Sequence, residues 1–506
     1  MGYDIGSRIR AWDYEFDWTE EHLTPEQLRP LMFSYDVLAT ESLDRFDELV
    51  PSLPLRAQRT KPSRPAECPH SDFYGIFKEH ASSDPTLQRL WDEVNTVPPW
   101  VDWAQIERGQ KVFYRYAGPS IVSLTFHSLL GGMGSRRIAE TLTRTGGFGV
   151  RVARRRLLET FQHVLDVTES LEAIQPGGSG FVSTLRVRFL HASVRRRILR
   201  LARRDPSYYS IPDLGIPISD LDSVGTALTF SAALIWIGFP RQGIFLRADE
   251  ISDYVALWRY VAYLLGTPTT YLATPSLAKA VLESLLLAEI EPTRTSCILA
   301  NNIITSLDGQ PPGYASADFL RAEAYWLNGN ELAGKLDVPR PPRFYALLVA
   351  GQCLFFMAMC YARRSIPIWD EAGIRRMKRY LRKAVLDQVD GEAATHEFRY
   401  IPRLGQVTGT HPEPDPDDNR ARQTTDDAQK LRKTAEPGSR IWFVIPKRSV
   451  ERRNLFAGLV AACCAVWLCA RTAWVAFSFA SSSSSSYATD RLAFVPGFGS
   501  GSRTRS

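Results

Sequence analysis

From about residue 76 to residue 400, apolar side chains recur at helical spacing, and no run alternates with period two between turn signals. That pattern confines the chain to an all-α fold. Residues Glu250 to Leu265 are the clearest case. Ile251, Tyr254, Val255, Trp258, Ala262 and Leu265 share one face there, and Gly266 stops the helix. Val224 to Ile237 reads as a second apolar helix, closed by Gly238 and Pro240. Pro275 to Ile290 reads as a third, with Thr274 placed to cap it and Pro275 suited to its first position. Phe344 to Tyr361 completes the set.

With 506 residues, 44% hydrophobic and 23% charged, the chain has room for one large domain with appendages, or for two domains. A net charge of +6 is too mild for a dedicated nucleic-acid binder. The sequence holds no zinc-finger spacing, no phosphate-binding glycine loop ending in Lys-Ser/Thr, and no Gly-x-Ser-x-Gly elbow. The seven cysteines are too scattered for a disulfide framework. Cys353 and Cys360 are expected to pack as small hydrophobes, while Cys463, Cys464 and Cys469 fall in an apolar segment. The opening residues lack an apolar core, so no signal peptide is expected there.

Residues 1–75, rich in proline and charge, read as an N-terminal arm packing on a main domain at 76–400. Residues 405–440 have few apolar side chains and read as a disordered linker, and 481–506 as a disordered tail. Between them, 454–480 is nearly all apolar, interrupted by Arg471 and Thr472. Its 27 residues would reach about 40 Å as a helix, enough to span a bilayer if Arg471 snorkels toward an interface. Lys447, Arg448, Arg452 and Arg453 precede it and a serine tract follows, which predicts the main domain on the cytosolic side. An interfacial segment is the alternative.

Three helices carry the residues of chemical interest. His191 lies on the stripe of Val187, Leu190, Val194, Ile198 and Leu201, with Arg186, Arg188, Arg195, Arg196, Arg197 and Arg200 over the rest of that helix. An imidazole so placed is either a hydrogen-bonded core residue or a metal ligand, with cations at hand for an anionic cofactor. Ser135 is placed to cap a helix from Arg136 to Thr145 that carries Glu140. On the next helix Arg156, Thr160 and His163 fall at i, i+4 and i+7, along one face beside Leu157, Phe161, Val164 and Leu165. Polar residues bordering an apolar stripe read equally as a solvated flank. His22, His70, His80, His396 and His411 lie outside these blocks and are expected at the surface.

Five blocks carry a resemblance. Phe113-Tyr-Arg-Tyr-Ala-Gly-Pro-Ser120, Ala139-Glu-Thr-Leu-Thr-Arg-Thr-Gly-Gly-Phe148, Arg156-Leu-Leu-Glu-Thr160, Val187-Arg-Phe-Leu-His-Ala-Ser-Val-Arg195 and Leu257-Trp-Arg-Tyr-Val-Ala-Tyr-Leu-Leu-Gly266 occur in that order. Over roughly residues 80 to 360 the chain resembles the rubber-oxygenase catalytic domain. That family includes bacterial latex clearing proteins and fungal endoplasmic-reticulum-bound oxygenases of the mpaB type. The resemblance implies a single large helical domain with a globin-like core around one non-covalent haem b, plus the C-terminal hydrophobic helix. It makes His191 the proximal iron ligand, Glu140 the catalytic base, and Arg156 and Thr160 part of an Arg-x-x-Lys-Thr motif near the distal pocket. Glu159 stands at the lysine position of that motif, which argues against rubber itself as substrate and brings the chain closer to the fungal branch. Arg195 and, after it, Arg188 are the expected partners of the haem propionates. A glutamate buried near the haem would have its pKa raised. His127 and His163 remain rival distal residues or second axial ligands.

The expected function is a haem-dependent oxygenase that cleaves or oxidises a C=C bond of an isoprenoid or other lipophilic substrate with O2. Its expected setting is a membrane, the endoplasmic reticulum being the implied one. The alternatives are a non-catalytic, membrane-anchored lipid- or haem-binding protein, and a haem enzyme using peroxide or hydroxylating its substrate.

Overall fold

A computed structural model describes residues 3–49, 73–145, 148–386, 450–461 and 463–464. The expectations for the 405–440 linker, for all but the start of the 454–480 span and for the 481–506 tail lie outside the described residues. The all-α expectation holds, with one small exception at the start of the chain. Strands β1 (Arg8–Ala11) and β2 (Tyr14–Asp17) form an antiparallel hairpin. Ile9, Ala11 and Phe16 turn inward, while Arg8 pairs with Asp17 and Arg10 stands opposite Glu15. Four residues per strand are too few to register as sustained alternation.

The hairpin corrects the expectation for His22. The ring is buried, stacked on Phe16 and Trp18 with centroids 5.3 and 4.6 Å away. Its Nδ1 accepts from the Thr19 amide at 2.9 Å, which leaves Nε2 to donate to Glu283 at 3.1 Å. Tyr14 and Lys279 donate to the same carboxylate at 2.7 and 2.6 Å. A buried carboxylate gathering three donors ties the arm to the domain.

Helices of nine residues or more are numbered in chain order. α1 (Val37–Leu49), α2 (Pro85–Asn95) and α3 (Trp103–Arg115) lead into α4 (Arg136–Arg144), α5 (Val150–Thr168) and the long α6 (Ser179–Arg204). α7 (Asp220–Phe230), α8 (Ala248–Leu264), α9 (Pro275–Ala288) and α10 (Arg294–Leu307) follow. Then come α11 (Ala317–Lys335), α12 (Arg343–Arg364), α13 (Pro367–Leu386) and residues 450–461, α14. Thr274 caps α9 as its sequence implies, its hydroxyl accepting from Leu277 N at 3.2 Å. Ser135 holds the cap position of α4 but its hydroxyl makes no capping bond. The backbone there forms a bridge with Ile290 instead.

The expected helix from Val224 to Ile237 is broken. Ser231 donates its hydroxyl back to Ala227 O at 2.8 Å, and the chain re-forms as a wide π-turn at Leu234–Gly238. A second π-turn, Ser123–Leu130, packs against it. The main core runs through α1, α3, α6, α8 and α9, with Phe46, Phe113, Phe189, Tyr254 and Val281 among its fully buried members. A second apolar cluster joins α4, α5, α10 and α11 through Ala139, Ala153, Ile303 and Leu327. α5 faces both.

One buried acid makes stability depend on pH. Glu323 on α11 is buried and accepts a short hydrogen bond from Gln352 Nε2. Burial pushes its carboxyl up to about 8, against the weaker pull of Gln352 and Arg453. Between its unfolded value and 8 the folded state binds the extra proton, so the wild type loses stability as pH rises through that window. Glu323→Gln, which cannot ionise, is expected to gain on the wild type from about pH 4.5 to 8 and to run parallel above it. One pKa unit is about 1.4 kcal/mol, so the gap grows to several times that. Urea unfolding across the range measures it, and a constant gap would refute the buried acid.

Candidate functional site

α6 owes its central place to two apolar faces. Phe181, Leu185, Phe189 and Ala192 join the main core, and Val194, Ile198 and Ala202 pack with Tyr209. Between these faces the stripe that carries His191 is less fully covered. Val187, Leu190 and His191 stay partly exposed, and so do Leu157 and Phe161 on the neighbouring α5. These side chains on two neighbouring inner helices are thus left only half-covered by protein.

His191 is neutral. Burial pushes its pKa down to about 4, helped by the Arg195 and Arg156 cations and by His163. Among the described residues, no group hydrogen-bonds its ring, so the reading of His191 as a hydrogen-bonded core residue does not hold. A neutral imidazole with both nitrogens unclaimed is a good ligand for iron. His163 on α5 is buried and likewise pushed by burial to about 4. Its Nδ1 lies 3.1 Å from Ser183 Oγ on α6, and Ser183 in turn hydrogen-bonds Asp166, whose carboxyl burial raises to about 6. Sequence reasoning missed Ser183 and Asp166. The signal was present, since Ser183 precedes Val187 by one turn on the stripe that holds His191.

The remaining expected site residues fall into three groups. Arg156 stands near enough to His191 to act on its charge, and its guanidinium pairs with Glu159 at 3.2 Å. Glu159 also takes Arg155 at 3.0 Å, so the residue at the family's lysine position binds cations rather than offering a base. Thr160 is exposed on the same helix. Glu140 sits on α4, paired with Arg144, which also donates to Tyr208 O at 2.7 Å. It is a half-covered ion-pair member, in contrast to the desolvated acid expected from the sequence.

Arg188 and Arg195 require a correction. Arg188 is buried and holds Asp36 through two bonds of 2.7 and 3.0 Å, and Glu93 at 2.8 Å. Arg195, equally buried, donates to Ile218 O, Asp36 O and Thr40 Oγ1 and lies 4.8 Å over the Tyr35 ring. Ile218 is held at φ +55°, an uncommon conformation for a β-branched residue, with its carbonyl on Arg195. Both guanidiniums clamp α6 to the start of α1, and propionate pairing would break those contacts. His127, the other rival ligand, sits in the Ser123–Leu130 π-turn with Nδ1 3.3 Å from Asn328 Oδ1. Burial pushes it to about 4, and it serves the junction with α11.

Residues 114–358 match the family described as ER-bound oxygenase mpaB/B'/Rubber oxygenase, catalytic domain. The rubber oxygenase of Streptomyces sp. (strain K30) is 24% identical over 211 residues, covering 40% of this chain and 49% of that protein. The chain therefore spans about half the length of the curated relative it matches. The structure of latex clearing protein LCP in the closed state superposes with a TM-score of 0.51 at 19% identity, covering 70% of this chain and 91% of the other. That likeness establishes the shared helical fold.

Proposed function

We propose that the chain is a haem b-dependent oxygenase that cleaves or oxidises a C=C bond of an isoprenoid or other lipophilic substrate at a membrane. The observation that carries this reading is His191, a neutral and unclaimed imidazole on a half-covered apolar stripe, within the stretch that matches this family. The residues suit a flat apolar macrocycle: Val187 and Leu190 neighbour His191 on α6, and Leu157 and Phe161 on the adjoining α5 are likewise half-covered and apolar. Bound there, haem would supply the activation of O2.

The chain's own groups supply the rest. His191 would hold the iron through a ring nitrogen, and it stays unprotonated at neutral pH. Arg156, steadied by Glu159, offers donors beside it. Thr160 adds a hydroxyl on the same helix. Glu140 is the proton acceptor for an allylic position, with Arg144 holding its carboxylate in place. The half-covered apolar side chains around His191 suit a hydrocarbon chain. Anchorage fits such a substrate, because prenyl chains partition into bilayers. The apolar 454–480 run behind its basic flank supports a cytosolic-facing domain, and the family description supports the endoplasmic reticulum.

A second reading, binding of haem or lipid without turnover, draws on Glu159, which replaces the family's lysine and engages Arg156. One experiment separates the two. The full chain, purified in detergent from haem-supplied cells, is examined by visible absorption and then incubated with a polyprenyl alkene under 18O2 or nitrogen. A Soret band with 18O-labelled carbonyl fragments only under oxygen is the expected result. A Soret band without products leaves the binding reading, and folded protein without haem overturns both haem readings.

A further inference from the structure

α12 holds 19 consecutive uncharged residues, Phe344 to Ala362. Of the two long apolar stretches among the described residues, Asp220–Gly238 is 67% buried within the protein but Arg343–Arg364 only 39%. The difference lies on one side of α12. Phe344, Leu347, Leu354, Ala358 and Ala362 follow each other at helical spacing and all face outward. Leu347 is 69% exposed.

α14 lies directly against this helix. A Cβ built on Gly351 would come 2.2 Å from Asn454 O, so the two backbones touch. Asn454 is fully buried and donates to Gln352 Oε1 at 3.2 Å, Glu451 accepts from Ser316 N at 2.8 Å, and Arg453 sits 4.5 Å over the Phe355 ring. Buried polar contacts thus fix α14 to the domain. Its free side shows Leu455, Phe456, Leu459 and Val460, which enlarge the apolar surface begun by α12.

We infer that α12 and α14 together form a membrane-seating face, which rests in the headgroup and acyl boundary of an anionic bilayer. Two observations favour lipid over other occupants. From α14 the sequence runs on apolar to Ala480, so the chain leaves this patch into segments suited to hydrocarbon. The patch is also framed by cations: Arg340 and Arg343 before the α12 run, Arg363 after it, and Arg452 on α14. Such a frame matches anionic headgroups around a buried apolar centre. In a two-fold pairing of copies, the same arginines would confront one another. This inference is independent of the haem chemistry: an apolar tail would only tether the domain, whereas this face sets which side of it meets the bilayer.

The test places a photo-crosslinking side chain in the full-length protein, reconstituted in phosphatidylcholine–phosphatidylserine vesicles. Leu347→p-benzoylphenylalanine is the deciding variant, because α12 is not part of the tail. Leu354→p-benzoylphenylalanine repeats the measurement one turn-pair on, and Arg89→p-benzoylphenylalanine on α2 is the reference. Phospholipid adducts at positions 347 and 354, at least tenfold above position 89, are expected. Chain-to-chain adducts would overturn the inference in favour of a second copy, and the absence of adducts at both positions would show a face turned to water.

Discussion

His191→Gly is expected to abolish the Soret band of the purified protein while leaving its cooperative unfolding in place. Loss of an outer-shell partner of a metal ligand costs roughly 10–100-fold in affinity, and loss of the ligand itself should exceed that. The fold should survive because no described group hydrogen-bonds the His191 ring, and the neighbours Val187 and Leu190 are already half-covered. Free imidazole is expected to enter the space left by the side chain and restore the band, which a merely unfolded variant would not permit. His127→Ala provides the contrast. That ring spends its Nδ1 on Asn328, at the junction of a π-turn and α11, so its loss should lower stability and spare haem content. Full haem retention in His191→Gly would remove the ligand assignment and transfer the question to His163. Oxygen-dependent turnover should disappear with the band, since the proposed site depends on His191 to hold its iron.

How far the sequence leads differs from element to element, and the reason is the range over which each feature is decided. α8 and its end at Gly266 are local: an apolar face at helical spacing, then a glycine at φ +70°. The helix of His191 is legible for the same reason. The break at Ser231 is also local, but it comes from a hydroxyl competing for a backbone carbonyl, and hydrophobic periodicity does not register that competition. His22 looked like a surface residue because its partner Glu283 lies 261 positions away. The arginines of α6 show the limit most clearly. Their number and spacing suggested anion binding, yet Asp36, Tyr35 and Ile218 claim two of them, contributed by distant segments. A cluster of like charges on a helix states that counter-charges are needed without stating whose they are.

Arg188→Met should therefore destabilise the protein whether or not haem is bound. The guanidinium is buried between Asp36, itself nearly buried, and Glu93, and removing it strips both carboxylates of their shared cation, leaving Asp36 only the charge of Arg195. Breaking one side of a buried pair costs roughly 3–5 kcal/mol, a large part of the stability of an ordinary domain. Asp36 also accepts from the Ala39 amide at the start of α1, so the loss spreads to that helix. Gly266→Ala reaches the same place by another route. Its Cβ would need a left-handed backbone and would lie 2.6 Å from Asp36 Oδ2 and 2.7 Å from Arg188 Nε. Asp36→Asn combined with Arg188→Met should recover part of the loss, since it removes the stranded charge. Urea midpoints of haem-free protein decide the matter. Had Arg188 and Arg195 served propionates, their variants would lose haem with little change in the haem-free midpoint. The ion pairs require the reverse order: the midpoint falls first, and haem is lost only because α6, and His191 with it, is no longer held against α1.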